Sequence, residues 1–480
     1  PDDYLNPANV QRINGQDVIV EQDNPQLQIP SAYAQVNVMQ KFRYKPHRNW
    51  DFTYGFHYST TSSYGRYDRH NRMRNGQPRY AEWNYGPQSW LMNHLKVNYT
   101  GRSRLYDQIK IHLAHQSFGE SRIDRDFGSV RRRNRAEEVQ AYSINLDFKK
   151  ILSPAHTLHY GAEYIRNEVA SKGRFIDIRT DEEMDGPSRY PESNWTSIGV
   201  YGNESWKVTD KLSLHSGLRY TQFLLHADFR KNLPFYPLPF QEARIENGSV
   251  TGSLGAIFRP SKTWVIRANA GTAFRAPNVD DIGKIFDSEP GAVIVPNPNL
   301  ESEYAYNFDL SATTQIGASL ELDVSVYHTQ LRGALVRRKG RLNGRDRILY
   351  DGQLSQVQTI QNAARTQIYG IQAGIKVQIF DPLYFITDVN YQDGSEKTDD
   401  GERSSVRHVP PFFGVSRLKY ETTRLTLELN AQYQGELSHS DLALSEKGKT
   451  EIYALDAHGN TYAPAWYTLN FNFLMKLSAR

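Results

Sequence analysis

The sequence predicts an all-β protein, an antiparallel up-and-down β-barrel that crosses a membrane with its strands. Three observations predict this fold class. Apolar and polar residues alternate over long segments, the connections between these segments are alternately short and long, and no stretch holds 18 consecutive apolar residues. The third observation excludes a helical membrane protein.

The alternation has a period of two residues, as expected for strands with one apolar and one polar face. Near the C-terminus, Leu425, Leu427 and Leu429 share one face. Thr426 and Glu428 lie between them on the other face. A soluble sandwich also alternates in this way, but strands of about 11 to 16 residues are twice the usual soluble length and long enough to cross a bilayer.

The same pattern predicts seventeen strands along the chain. Their predicted ranges are 33–44, 49–60, 89–100, 106–118, 137–149, 156–169, 194–208, 211–226, 249–259, 263–274, 302–315, 319–332, 366–379, 383–393, 411–420, 424–434 and 465–476.

The connections separate the two ends of the predicted barrel. Short turns of about two to six residues include 45–48, 209–210, 260–262 and 380–382. Long connections of about 17 to 33 residues include 61–88, 170–193, 275–301, 333–365 and 435–464. Short turns at one end and long loops at the other are typical of outer-membrane barrels, and tryptophans near strand ends fit an interfacial girdle.

Composition excludes several other classes of protein. The chain has 480 residues, a net charge of +4, 30 Tyr and 21 Phe, which excludes a disordered chain. It has no cysteine, so disulfide scaffolds and thiolate sites are excluded. The HExxH, GxSxG and P-loop motifs are absent, and we therefore expect no enzyme activity, no cofactor and no metal site.

Two boxes in one long loop, with weaker matches elsewhere, point to a family. The loop opens with Phe274-Arg275-Ala276-Pro277 and closes with Asn297-Pro298-Asn299-Leu300, followed by Glu303. Weaker matches are Tyr67-Asp68-Arg69, Trp83-Asn84-Tyr85-Gly86-Pro87-Gln88, Gly370-Ile371-Gln372-Ala373, His408-Val409-Pro410-Pro411 and Pro464-Ala465-Trp466-Tyr467. With its FRAP and NPNL boxes, the chain resembles the TonB-dependent outer-membrane receptors of the Bacteroidetes type.

This resemblance implies a 22-stranded barrel around a plug, located in the bacterial outer membrane. The first and last predicted strands run in the same direction, so an even-numbered barrel needs further strands. We therefore expect residues 1–480 to be a barrel fragment, with three strands before residue 33, two after residue 476 and the N-terminal plug outside it.

The resemblance also implies a function and partners. The implied function is active uptake of a scarce nutrient chelate, powered through the plug by the TonB-ExbB-ExbD complex. A ferric siderophore is the first expectation for the ligand, with haem or another nutrient as alternatives. A passive porin remains open because alternation fits it equally, and an adhesin or barrel enzyme would need converging groups at the rim.

Arginines in two predicted long loops are the first candidates for ligand binding. Arg131, Arg132 and Arg133 lie in one loop, and Arg337 and Arg338 in another. They are candidates for attracting an anionic ferric chelate to the barrel mouth. Contact with lipopolysaccharide phosphates, or ordinary solvation, explains them as well. A chain of net charge +4 is a poor nucleic-acid binder, so no nucleic-acid partner is expected.

Aromatic residues form the second set of candidates. Tyr67, Trp83 and Tyr85 lie where they could stack on planar ligand groups, although packing of the loops explains them too. The resemblance adds Phe274 and Arg275 of the FRAP box.

Histidines and acidic clusters carry weaker hypotheses. The stretch 278–296 contains no histidine, where haem receptors of the family typically carry one, and this disfavours haem. Five strand histidines have lumen parity: His57, His94, His112, His159 and His215. The acidic stretches 181–186 and 399–402 lack the spacing of a calcium loop, and solvated turns explain them.

Overall fold

Most of the chain is strand. The computed structural model describes residues 6–477, except 290, 351, 399–400, 402, 408, 411, 445 and 451. The strands are β1 (Ala8–Ile13), β2 (Gln16–Glu21), β3 (Gln35–His47), β4 (Trp50–Thr61), β5 (Tyr64–Gly65), β6 (Met73–Arg74), β7 (Gln77–Pro78), β8 (Tyr80–Tyr85), β9 (Ser89–Thr100), β10 (Gln108–Asp126), β11 (Arg131–Ile151), β12 (His156–Asp177), β13 (Glu183–Gly186), β14 (Glu192–Lys207), β15 (Leu212–Asp228), β16 (Glu242–Phe258), β17 (Trp264–Arg275), β18 (Phe286–Glu289), β19 (Ala292–Val295), β20 (Glu303–Ile316), β21 (Leu320–Lys339), β22 (Arg347–Tyr350), β23 (Gln353–Phe380), β24 (Leu383–Thr398), β25 (Arg403–Ser405), β26 (Phe412–Glu421), β27 (Leu425–Gln434), β28 (Ala454–Leu455), β29 (Thr461–Tyr462) and β30 (Trp466–Met475).

Helices are short and belong to the long connections. They are α1 (Tyr67–His70), α2 (Val279–Gly283) and one turn of 3₁₀ helix, Arg230–Asn232. Within the described residues, none of the helices has the length and apolar character needed to cross a bilayer.

All seventeen predicted strands are present, and they form the wall of the barrel. In chain order they are β3, β4, β9, β10, β11, β12, β14, β15, β16, β17, β20, β21, β23, β24, β26, β27 and β30. Each pairs antiparallel with the next, from β3 with β4 to β27 with β30. The predicted up-and-down order is confirmed.

The sheet curves into a barrel, but its first and last strands form a seam. Among the described residues, which include all of β3 and β30, no ladder joins these two strands. Both are exposed along their whole length. Since each follows a connection at the long-loop end, they run in the same direction, and a direct pairing would be parallel.

The two faces of the wall differ as the alternation predicts. Ile144, Tyr164 and Ile198 face one another across β11, β12 and β14 on the outside and are 49%, 38% and 46% exposed. On the lumen side, the Asn145 amide donates to Glu163 at 2.8 Å and Arg219 contacts the same carboxylate at 2.6 Å. The register also puts all five predicted lumen histidines on this polar face.

The long connections are more structured than the sequence predicted. β10 ends at Asp126, β11 begins at Arg131 and β23 begins at Gln353. All three positions lie inside stretches that were predicted as loops. The physical reason is that, above the lipid belt, the outer face of a strand no longer meets hydrocarbon. The ladders continue there without the apolar and polar alternation that identifies strands in a sequence.

The buried core lies at the long-loop end of the barrel, here called the outer end. Three connections pack there into one apolar cap. Its buried members are Phe223, Leu225, Ala227, Phe229, Leu238, Ala243, Ile245, Ile282, Ile285, Val293, Val295, Leu300, Leu342 and Val357. Burial of each large side chain contributes about 1.5–3 kcal/mol, which holds these connections together over part of the lumen.

Candidate functional site

A chamber of about 560 Å³ lies on the lumen side of the wall beside the apolar cap. Strands β10, β11, β12, β14 and β15 supply its wall, and the segment from Phe274 to Asp280 covers it. The lining residues are Phe118, Glu120, Glu137, Val139, Ile165, Asn167, Val169, Tyr190, Trp195, Ser197, Phe223, Phe274, Ala276, Asn278, Val279 and Asp280. On each strand they alternate, because every second residue faces the lumen.

Four aromatic rings dominate the apolar part of this lining. Trp195 and Phe223 lie with ring centroids 5.5 Å apart on neighbouring strands β14 and β15. Phe118 and Tyr190 complete the set, and Phe274 borders the chamber at the end of β17. The rings offer flat, polarisable surfaces to a ligand.

Glu137 is the most deeply buried carboxylate of the chamber. It is 4% exposed, and Arg122 donates to its Oε2 at 3.0 Å. Glu138 and Gln140 on the outer face of the same strand place this position above the apolar belt. Burial raises the pKa of Glu137 to about 7, although Arg122 acts in the opposite direction.

A second carboxylate, Asp280, lies in the first turn of the short helix α2. It accepts a hydrogen bond from the Tyr190 hydroxyl at 2.7 Å and pairs with Lys284. Burial acts to raise the pKa of Asp280, but the hydrogen bonds from Lys284 and Tyr190, together with the charges of Lys284 and Arg189, lower it below its usual value. The side chain of Asn278 accepts from the backbone N–H of Asp281 in a capping box, which fixes where the helix starts.

The FRAP box residues hold this segment in place. Arg275 donates to Glu303 at 2.7 Å and to Asp281 at 2.6 Å, so one guanidinium links the end of β17, helix α2 and the start of β20. Of this predicted pair, Phe274 therefore borders the chamber, with its ring centroid 6.3 Å from that of Tyr304, and Arg275 positions the cover.

The first predicted arginine cluster is engaged in local contacts. The predicted loop is a hairpin of β10 and β11, and the arginines lie on strand β11. Arg132 pairs with Glu82 at 2.7 Å and Arg133 with Asp124 at 2.6 Å. Arg131 lies over the ring of Phe175, 4.7 Å from its centroid. These contacts reduce the positive charge that the cluster presents.

The second arginine pair lies on β21 instead of in a loop. Arg337 and Arg338 are opposite Ile360 and Thr359 of β23, and both take part in further contacts. The structure therefore brings neither arginine group into the lining of the chamber.

The predicted aromatic candidates form a separate cluster near β8. Trp83 is 8% exposed, and the Arg66 guanidinium lies 5.2 Å from its ring centroid. Arg122 lies 5.3 Å from the ring of Tyr85, and Tyr67 is in helix α1. Arginines thus already stack on the rings of Trp83 and Tyr85.

Metal ligands are not grouped in the described residues, where no set of three or more His, Asp or Glu side chains could hold an ion. The acidic stretch at 181–186 contributes β13, in which Asp185 pairs with Arg174 at 2.7 Å. His408 and residues 399, 400 and 402 of the second acidic stretch lie outside the described residues.

Sequence reasoning missed Glu137, Trp195, Phe223 and Asp280. Strand alternation placed Glu137, Trp195 and Phe223 on the lumen face, but it gave no reason to select them from the other lumen residues. The spacing Asn278-x-x-Asp281 was a usable signal for helix α2.

Comparisons with known proteins agree with this barrel architecture. The family model described as TonB dependent receptor-like, beta-barrel matches residues 12–476. The chain is similar to the iron-regulated outer membrane virulence protein of Vibrio cholerae serotype O1, with 23% identity over 314 residues. The match covers 64% of this chain and 43% of the relative, so it spans less than half of that protein's length.

Solved structures share the barrel. The copper transporter OprC superposes with a TM-score of 0.70 at 12% identity, over 94% of this chain and 65% of that chain. The ferric yersiniabactin uptake receptor FyuA from Yersinia pestis gives 0.64 at 14%, over 93% and 64%. The Serratia marcescens hemophore receptor HasR gives 0.63 at 11%, over 93% and 67%. At these identities the likeness establishes the fold.

Proposed function

Because the chain belongs to the TonB-dependent receptors, through their β-barrel domain, we propose that it serves the active uptake of a scarce nutrient chelate. It lies in the bacterial outer membrane. A ferric siderophore is the proposed cargo, and a TonB-ExbB-ExbD complex acting through a plug is the proposed energy source. Similar proteins include a ferric yersiniabactin uptake receptor and an iron-regulated outer membrane protein, and both support iron as the nutrient.

One observation carries this proposal. The outer end of the lumen contains a chamber lined by aromatic rings and carboxylates, beside a cap of buried apolar residues that covers part of the lumen. Aromatic rings with a few converging polar groups are typical of a ligand pocket. A passive porin needs an open water-filled lumen at the same place, and the cap disfavours that function.

Iron-limited growth tests the proposal. A deletion strain carrying the intact gene should take up ⁵⁵Fe from a ferric siderophore, and a protonophore should abolish this uptake. The matched control carries the same gene in a deletion strain that also lacks TonB. Uptake that persists without an energy source would identify a passive channel, and uptake of haem iron in place of siderophore iron would change the cargo.

A further inference from the structure

We propose that the chamber binds an organic ammonium group of the imported ligand, because carboxylates and aromatic rings converge on it. This inference rests on the proposed uptake function and names the chemistry of its ligand. It differs from attraction of an anionic chelate by surface arginines, since it concerns the group that is seated inside the chamber.

The charged side chains in the lining of the chamber are all acidic. Its three ionisable carboxylates are Glu120, Glu137 and Asp280. In the part of the chain that the structure describes, the lining contains no lysine or arginine. A ligand inside the chamber therefore meets acidic oxygens, and burial beside the cap weakens the screening of their charge.

The cations that balance these carboxylates lie behind them. Arg122 contacts Glu120 at 2.7 Å and Glu137 at 3.0 Å, and Lys284 pairs with Asp280. Arg189 lies over the ring of Tyr190, 5.1 Å from its centroid. These bases fix the positions of the acids and of Tyr190 but do not face the ligand space.

Glu137 has hydrogen-bonding capacity left for a ligand. Its Oε2 accepts from Arg122, whereas its Oε1 has the Ser171 hydroxyl at a long 3.4 Å. A carboxylate oxygen with so weak a contact can accept a stronger hydrogen bond from an ammonium N–H.

The aromatic rings supply the second recognition element. A cation is attracted to the face of an aromatic ring when it lies within about 6 Å of the centroid. The chamber offers the rings of Trp195 and Phe223 and two further rings, those of Phe118 and Tyr190, around the same space as the carboxylates. Rings together with carboxylates select a cation over a neutral apolar group, and a volume of about 560 Å³ accommodates a small aromatic amine.

Two matched probes test the proposal on the protein extracted from outer membranes in detergent. Tyramine carries an ammonium group and 4-hydroxyphenylacetate a carboxylate on the same phenol ring. At pH 8, equilibrium dialysis should show tyramine binding at least tenfold more tightly than the acid. Glu137→Gln should weaken tyramine binding about tenfold, and Glu168→Gln, on the outer face of β12, should change it less than twofold.

Equal or tighter binding of the carboxylate probe would overturn the proposal, as would an unchanged tyramine affinity in a folded Glu137→Gln protein. If that variant does not fold, the two probes on the unaltered protein still decide. Because binding to the extracted protein needs no energy source, this test can fail while siderophore uptake succeeds, and uptake can fail while the ammonium preference stands.

Discussion

Glu137 is a buried residue of wall strand β11 that also lines the chamber. Burial raises the pKa of Glu137 to about 7, above the usual value of 4.5. Between these two pH values the folded protein keeps the carboxyl proton, whereas the unfolded chain has released it. This contribution to stability is complete below about pH 4.5 and is lost as the pH rises to about 7. The shift corresponds to roughly 2–4 kcal/mol.

Replacing Glu137 should abolish the titration of this buried carboxyl group. Infrared difference spectra of the unaltered protein should show a protonated carboxyl group that disappears between about pH 6 and 8. Glu137→Gln should lack this signal, because the buried acid is gone, and Glu168→Gln should retain it. A signal that is identical in all three proteins would show that Glu137 is not the buried acid that titrates.

At the scale of the element, each wall strand is defined by the opposite character of its two faces. On β27, Leu429 lies opposite Leu418 and Phe471 on the outer face, and Glu428 lies opposite Lys419 and Asn472 on the lumen face. Leu429→Arg should lower the free energy of unfolding in lipid vesicles by about 2–4 kcal/mol, because it puts a charge in hydrocarbon. Glu428→Arg should cost much less, and equal costs would contradict the assignment of the faces.

The same contrast explains how far the sequence could predict the elements. Strands such as β27 were predictable because lipid and water impose opposite residues on their faces. The upper parts of β10 and β11 were not, because Arg122, Arg132 and Glu138 are in polar surroundings on both sides. The chamber was less predictable still, since its cover depends on how three distant connections pack together, and this packing leaves no local period.

On the scale of the whole molecule, the seam between β3 and β30 is the unusual feature. Edge strands in lipid leave backbone groups without partners. The antiparallel order of seventeen strands gives β3 and β30 the same direction, so neither can be the antiparallel partner of the other. We propose that further strands complete the barrel at this seam.

Disulfide formation can test this proposal, because the chain has no cysteine of its own. The pair Leu429→Cys with Phe471→Cys, directly opposite on β27 and β30, should crosslink on oxidation. The pair Phe42→Cys with Phe471→Cys, across the seam, should not crosslink in outer membranes. Efficient crosslinking of the seam pair would show that the seventeen strands close on themselves.

Capture of a nutrient chelate in the lumen chamber can be tested by measuring uptake when the chamber is filled. Ser197 lines the chamber, while the neighbouring Thr196 faces the other side of β14. In iron-starved cells, Ser197→Trp should fill the chamber and reduce uptake of ⁵⁵Fe-siderophore at least tenfold at equal receptor levels. Thr196→Trp should leave uptake within twofold of the unaltered receptor. Equal uptake through both variants would contradict the account.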